Sequence, residues 1–530
     1  AARLDTHDLV FVGAGASTAY VLIALLTSLA EDPPRTPLRI GVVERAADAF
    51  SGIAYGERAA RTSLLITPLR DFLPPDQLRL FTDWLAENKH WAFEEFLASE
   101  GPVSARWWVR HRAAVEANSF DDLFLPRYIF GDYLVSRTRN AIVAAAAAGL
   151  ATTEVLQDDV LSIDAGHPTY LLRCRDRVLR AERVVLATGS SPVLPRLRAA
   201  ESDGRAVLID SPFDSMTAAL DRIESLATRQ DAAQEPPHIV MIGGNAGTMD
   251  MLYQVANLPV IAARGARFTV LSPRGELPER MDAPRAGFRA ELLQALRDQD
   301  RVRAAAVYEA AIGDLARGRA AGYSVADTLS PISEGVVGVL PRLSVDEALE
   351  FAGHWGVELG RHQRRAGWEY CEVVDELTAQ GRLTPVAGSF AGIDSGNGRG
   401  VRVLFDDRDG LASELDRPAD VVINCGGPAG RLQDTAPSLV AELISRGVCR
   451  PTRYGGGIAV DASLEAAPGF FVMGPLLAGN VINGSPVWHM EHCGRISTFG
   501  SALGPRLARS LVTGSLTDDR RTPMDAMPSS

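Results

Sequence analysis

Apolar and polar residues follow one another in blocks that predict strands alternating with helices. The apolar segment DLVFV runs into GAGAS, and the helical pattern TAYVLIALLTSLA and the strand pattern LRIGVVE follow. The same order returns in the second half as HIVMI, GGNAG, TMDMLYQVANL and ARFTVLS. Strands separated by helices of this length are typical of parallel sheets covered by helices. The pattern therefore predicts an α/β protein with the same arrangement built twice.

A glycine-rich turn joins strand to helix in each half. Such a turn lets the backbone approach a pyrophosphate, which the N–H groups of the following helix bind. The first turn contains Gly13 and Gly15, and the next strand ends in Glu44, placed to accept hydrogen bonds from a ribose hydroxyl. Thr18 stands where a third glycine is usual. The first half therefore predicts a Rossmann-like site for a dinucleotide with a free ribose.

The second turn follows Gly243 but has a different character. Asn245 and Thr248 replace the second and third glycines, and the next strand ends in LSPR, without an acid. An acid at this position would repel a 2′-phosphate, whereas Ser272 and Arg274 would bind it. The second half therefore predicts a site for NADPH.

The segments around these turns predict inserted helices and closing strands. Residues from Ile66 to about Arg139 are rich in aromatic residues and predict helices and loops, while VVLATGSSP and VVINCGGP predict buried strands. Arg361, Arg364 and Arg365 are spaced to share one helix face. A solvated face is the commoner explanation for such a group, and binding of phosphates or carboxylates is the alternative.

Composition limits the classes of function. The chain has 530 residues, 46% hydrophobic residues and a net charge of −12, which argues against general binding to nucleic acid or anionic membranes. We find neither a bilayer-spanning apolar run nor a signal-peptide pattern, and the five cysteines include no C-x-x-C pair. We therefore expect a cytoplasmic protein without a redox dithiol, and a homo-oligomer stays open.

A small polar group near the C-terminus suggests a metal site at first sight. Glu491 lies between His489 and His492, but the sequence offers no further ligand at a suitable spacing. Polar residues at a helix start beside a cofactor are the preferred interpretation. We predict no metal site.

The motifs, in this order, resemble the flavoprotein monooxygenases with two dinucleotide-binding domains, which include amino-acid N-hydroxylases. GAGAS, VVLATGSSP and GGNAGT fall in that family's order. Further segments resemble its bacterial FAD/NAD(P)-binding branch, namely SGIAYG with LLITP, LPRYIFGDYL, SPRGELP, RHQRRAGWEY, VVINCGGP, FVMGPLLAGN and VWHMEHCGRI. The resemblance extends from about Leu9 to Leu511, and this branch includes aspartate N-hydroxylases that form nitrosuccinate and urate-type ring hydroxylases.

The resemblance implies positions for both cofactors. The residues implied for FAD are Gly13, Gly15, Ser17, Glu44, Val160, Thr188, Gly189, Gly474 and Pro475. The residues implied for NADPH are Gly243, Asn245, Ala246, Gly247, Thr248, Ser272 and Arg274. LLITPLRDF would line the active face of the flavin, and the late motif reads MGP, without the aspartate usual in relatives.

The same resemblance implies a domain division. Residues 1–204 would form the first part of the FAD-binding domain, and residues 205–424 the NADPH-binding domain with a helical insertion. Residues 425–515 would return to the FAD-binding domain, and residues 516–530 would be a disordered tail.

The implied activity is oxygen transfer, with NADPH reducing FAD and a flavin C4a-hydroperoxide hydroxylating a small molecule. No catalytic side chain is assigned, because the flavin performs the chemistry. The leading hypothesis is N-hydroxylation of a small amino acid in natural-product biosynthesis, with L-aspartate to nitrosuccinate as first candidate and Arg285 and Arg289 binding its carboxylates. The alternatives are a C-hydroxylase of a urate-like ring and a dinucleotide-binding reductase or regulator without oxygen transfer.

Overall fold

The computed structural model describes residues 5–99, 101–166, 168–197, 206–229, 235–395, 400–427, 430–435 and 438–513. Strands and helices are numbered in chain order within these ranges. The strands are β1 Asp5–Val12, β2 Leu38–Glu44, β3 Ala151–Gln157, β4 Val160–Gly166, β5 Thr169–Cys174, β6 Val178–Leu186, β7 Val207–Ile209, β8 His238–Ile242, β9 Arg267–Ser272, β10 Glu279–Arg280, β11 Arg365–Ala366, β12 Leu383–Ala387, β13 Ser389–Asp394, β14 Arg402–Asp406, β15 Ala412–Glu414, β16 Val421–Asn424, β17 Glu465–Ala467, β18 Phe470–Val472, β19 Asn480–Ile482 and β20 Ser485–Val487.

The helices alternate with these strands over most of the chain. They are α1 Ala16–Glu31, α2 Gly52–Tyr55, α3 Pro75–Ala92, α4 Glu94–Ala98, α5 Pro102–Glu116, α6 Arg127–Ala147, α7 Met216–Arg229, α8 Ala246–Asn257, α9 Pro259–Arg264, α10 Glu291–Leu296, α11 Ala304–Ala320, α12 Val325–Val339, α13 Val345–Glu350, α14 Gly356–His362, α15 Trp368–Ala379, α16 Leu439–Ser445 and α17 Cys493–Thr513. None of the helices in the described ranges is long and apolar enough to span a bilayer.

The first sheet collects strands from both ends of the chain. Among the described residues its order is β17-β18-β6-β1-β2-β3, with β5 pairing β6 and β4 pairing β5. β18, β6, β1, β2 and β3 are parallel to one another, whereas β17 and β5 pair antiparallel with β18 and β6, and β1 is central and buried along its second half. The carboxyl ends of these parallel strands meet at one edge, where ligands bind in such folds.

The second sheet repeats this arrangement. Its order is β12-β9-β8-β16-β7, and every neighbouring pair is parallel. The glycine-rich turn after β8 leads into α8, as the turn after β1 leads into α1. Two Rossmann-like sheets with covering helices are thus present, and the predicted fold class is confirmed.

A separate apolar cluster holds the helices inserted after β9. Val307, Ile332 and Phe351 are fully buried within it, and Trp488 from the segment before α17 packs against it. The ring centroids of Phe351 and Trp488 lie 5.3 Å apart in an edge-on arrangement. The inserted helices therefore rest on the C-terminal part of the chain.

The arginines predicted to share one helix face do not do so. Arg361 lies in α14, but α14 ends at His362, and Arg365 belongs to β11, where it pairs with Glu279 of β10. The spacing prediction is wrong because the helix ends before the last two arginines.

A buried polar network fixes the two sheets relative to one another. Asp250 of α8 forms an ion pair with Arg127 of α6 at 2.9 Å and accepts a hydrogen bond from Tyr370 at 3.0 Å. The backbone N–H of Leu64 donates to Tyr370 Oη at 2.8 Å. Because breaking a buried ion pair leaves an uncompensated charge, this network favours one arrangement of the two sheets. The predicted tail of residues 516–530 lies outside the described residues.

Candidate functional site

The first glycine-rich turn is shaped by contact with the strand beside it. Gly13 has a φ of +95°, and a methyl group there would lie 2.5 Å from the carbonyl oxygen of Ala187, just after β6. Thr18 fills the place of the third glycine, and its hydroxyl donates to the carbonyl oxygen of Gly13 at 2.6 Å. The turn therefore requires glycine at its first position and gains a hydrogen bond from threonine at its third.

Glu44 lies beside the same turn. Its carboxylate accepts hydrogen bonds from the backbone N–H of Ala14 at 2.8 Å and of Ala46 at 3.0 Å. Each oxygen keeps lone pairs that could accept a ribose hydroxyl. The backbone N–H of Asp158 donates to the Glu44 carbonyl at 2.9 Å, which brings the start of β4, and with it Val160, to this end of the sheet.

The remaining residues predicted for FAD lie around the start of α1. Gly474 follows β18 and opens a 3₁₀ turn with Pro475, and a methyl group on Gly474 would lie 2.6 Å from Ser17 Oγ. Thr188 and Gly189 follow β6, and the Cα of Thr188 would lie 3.2 Å from a methyl group on Gly13. The structure thus brings Ser17, Thr188, Gly189, Gly474 and Pro475 to the edge that carries the turn.

Sequence reasoning missed the loop that covers this turn. The backbone N–H of Phe50, a buried residue with a φ of +78°, donates to the carbonyl oxygen of Ala14 at 2.5 Å. A methyl group on Gly52 would lie 3.2 Å from the Cα of Gly15. The glycines in the segment SGIAYG are the sequence signal that could have indicated this loop. The backbone forms a narrow cradle that a side chain would fill, and its residues fit the adenosine and pyrophosphate of FAD.

The second turn repeats the framework of the first. Gly243 has a φ of +115°, and a methyl group there would lie 2.8 Å from the carbonyl oxygen of Cys425, just after β16. The Thr248 hydroxyl donates to the Gly243 carbonyl at 2.8 Å. Asn245 caps α8 by accepting from the Thr248 N–H at 3.0 Å and donates to the Cys425 carbonyl at 2.8 Å. Ala246 begins α8, and Gly247 follows it.

Arginines surround this second turn. Arg364 donates to the carbonyl oxygen of Gly244 at 2.8 Å, and Arg274 donates to the carbonyl oxygen of Arg361 at 2.8 Å. Arg408 donates to the carbonyl oxygen of Arg274 at 2.7 Å. Burial and the neighbouring charges of Arg274 and Arg361 lower the pKa of the Arg364 guanidinium. These backbone bonds orient the guanidinium groups around the turn, and oriented guanidinium groups pair well with an anion. Sequence reasoning considered Arg364 for phosphate or carboxylate binding only as an alternative to a solvated face, and it did not consider Arg408.

Ser272 ends β9 beneath the turn, with 5% of its surface exposed. A methyl group on Gly244 would lie 3.0 Å from Ser272 Oγ, so the hydroxyl lies directly behind the turn. Arg274 is more exposed and also lies 3.3 Å from a carboxylate oxygen of Glu276. Arg274 is therefore the more accessible of the two to a 2′-phosphate.

The two predicted substrate arginines lie on the inserted segment after β10. The Arg285 side chain is 62% exposed and forms an ion pair with Asp327 at 2.8 Å. Hydrogen bonds from Arg285 hold the pKa of the Asp327 carboxyl well below its usual range. Arg289 is exposed and lines a surface pocket with Phe288 and Tyr323. Their predicted contact with substrate stays a prediction.

The polar group around Glu491 lies immediately before α17. Burial and the charge of Arg495 lower the pKa of the His492 imidazole to about 4. Across the described residues, no three His, Cys, Asp or Glu side chains converge in a way that could hold a metal ion. All five cysteines are buried and unpaired.

Comparisons with known proteins agree with this geometry. Residues 10–191 match the family described as FAD-NAD(P)-binding. The uncharacterized protein Rv3403c of Mycobacterium tuberculosis is 30% identical over 521 residues, covering 96% of each chain. This part of the chain is an FAD-NAD(P)-binding domain, and the whole chain belongs to the same protein family as that mycobacterial protein.

Solved structures share the fold over nearly the whole chain. The reduced ornithine hydroxylase of Pseudomonas aeruginosa is 14% identical with a TM-score of 0.52, covering 96% of this chain and 100% of its own. The FAD-bound cadaverine monooxygenase of Erwinia amylovora is 11% identical with a TM-score of 0.52, covering 99% of each chain. At these identities the similarity establishes a common fold.

Proposed function

We propose that this protein is an FAD- and NADPH-dependent monooxygenase that N-hydroxylates a small amino acid, with L-aspartate as the leading candidate. The observation that carries the proposal is the opposite character of the two nucleotide-binding edges. One presents Glu44 beside its turn, and the other presents arginines. A carboxylate suits a free ribose and guanidinium groups suit a 2′-phosphate, so the pair of edges suits FAD and NADPH.

The residues of the chain have separate tasks in this proposal. Residues 1–204 and 425–515 would bind FAD, with Gly13 and Gly15 at the pyrophosphate and Glu44 at the ribose. Residues 205–424 would bind NADPH, with Gly243 at the pyrophosphate and Arg274 at the 2′-phosphate. Bound FAD supplies the redox chemistry, taking electrons from NADPH and activating oxygen for transfer. The protein holds the two nucleotides in register and keeps water from the cleft.

The cysteines favour oxygen over a disulfide as the electron acceptor. Reduction of a disulfide by thiol exchange requires a thiolate that attacks a disulfide sulfur. The sequence has no C-x-x-C pair, and all five cysteines are buried and unpaired. Burial raises the pKa of the Cys493 thiol, at the start of α17, to about 12. A thiol held in its neutral form is a poor nucleophile, so reduction of a disulfide substrate is disfavoured.

Nucleophilic attack by the substrate nitrogen requires an unprotonated amine, and its orientation requires contacts to the carboxylates. Arg285 and Arg289 are the arginines that we proposed for these contacts from sequence. Neither has to move a proton, because an arginine stays protonated at all working pH values. Their role would be to hold the substrate so that its amine faces the flavin.

The proposal is tested by assaying the purified, FAD-loaded enzyme with NADPH and oxygen. We expect L-aspartate to stimulate NADPH oxidation and to yield a hydroxylamine or more oxidised nitrogen product, measured by mass spectrometry. Peroxide is quantified in parallel, because uncoupled oxidation consumes NADPH without product. Hydroxylation of a urate-like ring instead of an amine, or NADPH oxidation that never depends on oxygen, would overturn it.

A further inference from the structure

The buried polar network between the two sheets is centred on one carboxylate. The Oδ1 atom of Asp250 accepts hydrogen bonds from Ser63 Oγ and Tyr370 Oη, each at 3.0 Å. Gln254 Nε2 donates to the same oxygen at 3.2 Å, and Arg127 Nη2 lies 2.9 Å from Oδ2. We call these five residues the Asp250 network. Because four donors occupy its two oxygens, the carboxylate is held in place and is poorly suited to act as a base.

The Asp250 network crosses the boundary between the two predicted domains. Ser63 and Arg127 lie in the predicted FAD-binding domain, where the backbone N–H of Arg127 donates to the Ser63 carbonyl at 2.8 Å. Asp250 and Gln254 lie one turn apart on α8, and Tyr370 lies on α15, both in the predicted NADPH-binding domain. Gln254 Nε2 also donates to Ser63 Oγ at 3.2 Å. The network therefore joins α8 directly to the other domain.

Each end of the Asp250 network reaches a segment predicted to lie beside a cofactor. α8 begins at Ala246, directly after the second glycine-rich turn, and Asp250 lies about one helical turn further on. At the other end, Tyr370 Oη accepts from the backbone N–H of Leu64 at 2.8 Å and lies 3.2 Å from the carbonyl oxygen of the same residue. Leu64 begins LLITPLRDF, the segment expected to line the flavin. A few hydrogen bonds thus connect the two predicted cofactor sites.

Burial makes the Asp250 network suited to fixing an orientation. Ser63, Asp250 and Tyr370 are at most 3% exposed. Burial raises the pKa of the Tyr370 hydroxyl, so this group keeps its proton and remains a donor. A satisfied polar network in low-dielectric surroundings is rigid. Rotation of one domain against the other would break several of these bonds at once and leave the Asp250 charge uncompensated.

The same two domains also meet along α5 and α15, closer to solvent. Arg110 of α5 donates two hydrogen bonds to the Glu372 carboxylate of α15, at 3.1 and 2.9 Å. These side chains are 35% and 27% exposed. Because exposed ion pairs contribute little, the Asp250 network is the part of the boundary best able to set the orientation of the domains.

We infer that the Asp250 network is an interdomain clamp, which holds the two nucleotide-binding edges so that NADPH reduces FAD without rotation of one domain against the other. In that step a hydride passes from NADPH, which becomes NADP⁺, to FAD, which becomes its reduced anion. Ser63, Asp250 and Tyr370 are positioning residues, since they act through α8 and the backbone of Leu64. The inference rests on the proposed function only for this transfer from NADPH to FAD.

The first measurement requires no turnover. Val143 of α6 and Leu411 before β15 are exposed and lie in the two different domains. Spin labels on Val143→Cys and Leu411→Cys report the distance between the domains by electron paramagnetic resonance, because the five native cysteines are buried. We expect one narrow distance distribution that NADP⁺ does not change. Tyr370→Phe and Ser63→Ala should each broaden or shift it.

The second measurement is anaerobic reduction of bound FAD by NADPH in a stopped-flow instrument. We expect Tyr370→Phe and Ser63→Ala each to lower the limiting rate about ten-fold while the NADPH Kd changes less than about two-fold, since small displacements of reacting groups cost mainly rate. Tyr133→Phe and Ser497→Ala are the matched controls. Their buried hydroxyls bond within α6 and α17, so distance and rate should stay unchanged.

FAD content and Tm are measured for every variant, because a general loss of stability would not lower the rate at an unchanged Kd. A network variant that loses FAD or does not fold is replaced by Gln254→Met, which removes bonds to Ser63 and Asp250 but keeps the ion pair. The inference is overturned if the unaltered protein shows a broad distribution, if NADP⁺ shifts the distance, or if the network variants keep both distance and rate. A change in only one of the two also overturns it, because positioning requires them to change together.

Failure of this inference and failure of the proposed function look different. If flavin reduction depends on the Asp250 network but aspartate yields no oxidised nitrogen, the clamp stands and the N-hydroxylase proposal fails. If the network variants keep distance and rate while aspartate is N-hydroxylated, the N-hydroxylase proposal stands and the clamp fails. If NADPH does not reduce FAD in the unaltered protein, both fail.

Discussion

The two glycine-rich turns share a framework and differ in what surrounds it. In each, the first glycine has a positive φ and packs against the carbonyl that follows the neighbouring strand, after β6 in one half and β16 in the other. In each, a buried threonine replaces the third glycine and donates to the first glycine's carbonyl, from Thr18 at 2.6 Å and from Thr248 at 2.8 Å. The same backbone arrangement therefore occurs in both halves of the chain.

The difference lies in charge and in the helix N-terminus. The first turn has a carboxylate, Glu44, bonded to its backbone, and no side chain caps α1. The second turn has a guanidinium, Arg364, bonded to its backbone, and Asn245 caps α8. A common backbone frame is thus combined with neighbouring side chains of opposite charge. The comparison teaches that the two turns share a backbone and differ in the side chains that contact it, some of which come from distant parts of the chain.

The largest predicted effect comes from a substitution that disrupts the first glycine-rich turn. We expect Gly13→Ala to lose FAD and to lower Tm, because its methyl group would lie 2.5 Å from the Ala187 carbonyl oxygen. The positive φ adds about 1–3 kcal/mol of strain. Gly149→Ala is the control, since Gly149 has a φ of +68° but open space around it. Gly243→Ala should weaken NADPH binding and leave FAD in place.

FAD is measured by absorbance of the purified variants, and Tm by calorimetry. If Gly13→Ala keeps a full complement of FAD, the first turn is not its binding site. If Gly149→Ala is as damaging as Gly13→Ala, φ strain alone explains the loss, and the contact with Ala187 does not.

A smaller predicted effect tests the difference in charge between the surroundings of the two turns. Arg274→Ala removes a guanidinium that lies at the end of β9 and is oriented by the Arg361 carbonyl. Losing one charge-assisted contact to a 2′-phosphate costs about 1.5–3 kcal/mol, so we expect the NADPH Kd to rise about ten-fold or more. NADH, which lacks that phosphate, is the internal control and should bind as before. Equal weakening for both cofactors would show that Arg274 supports the turn and does not read the phosphate.

The local sequence pattern was sufficient to predict the sheets and the glycine-rich turns. It was not sufficient to predict the distant residues that contact those turns. Periodicity, Gly13 and Gly243 predicted both strand–turn–helix units, because these signals lie within about thirty residues of chain. Arg364 reaches Gly244 across a separation of 120 residues, and no local signal encodes that contact.

One local prediction also failed for a physical reason. The spacing of Arg361, Arg364 and Arg365 fitted a helix, yet α14 ends at His362. Arg364 then contacts the second turn, and Arg365 belongs to β11, opposite Glu279 of β10. Helix ends are poorly marked when no glycine or proline follows at once, so side-chain direction near them is hard to predict.

The smallest predicted effect comes from substituting Asn245, which caps α8 at the second turn, whereas no side chain caps α1 at the first. Asn245→Ala removes the acceptor for the Thr248 N–H and the donor to the Cys425 carbonyl, and loss of such a cap typically costs about 1 kcal/mol. Asn245→Asp keeps the acceptor but places a negative charge beside the bound phosphates. We therefore expect Asn245→Ala to lower Tm slightly with a small change in NADPH affinity. Asn245→Asp should also lower Tm, because its carboxylate cannot donate to the Cys425 carbonyl, and should weaken NADPH binding more. FAD content should stay constant in both, because the first turn does not contain this residue. The reverse order, with the aspartate variant binding NADPH better than the alanine variant, would mean that the N-terminus of α8 does not face the cofactor's phosphates.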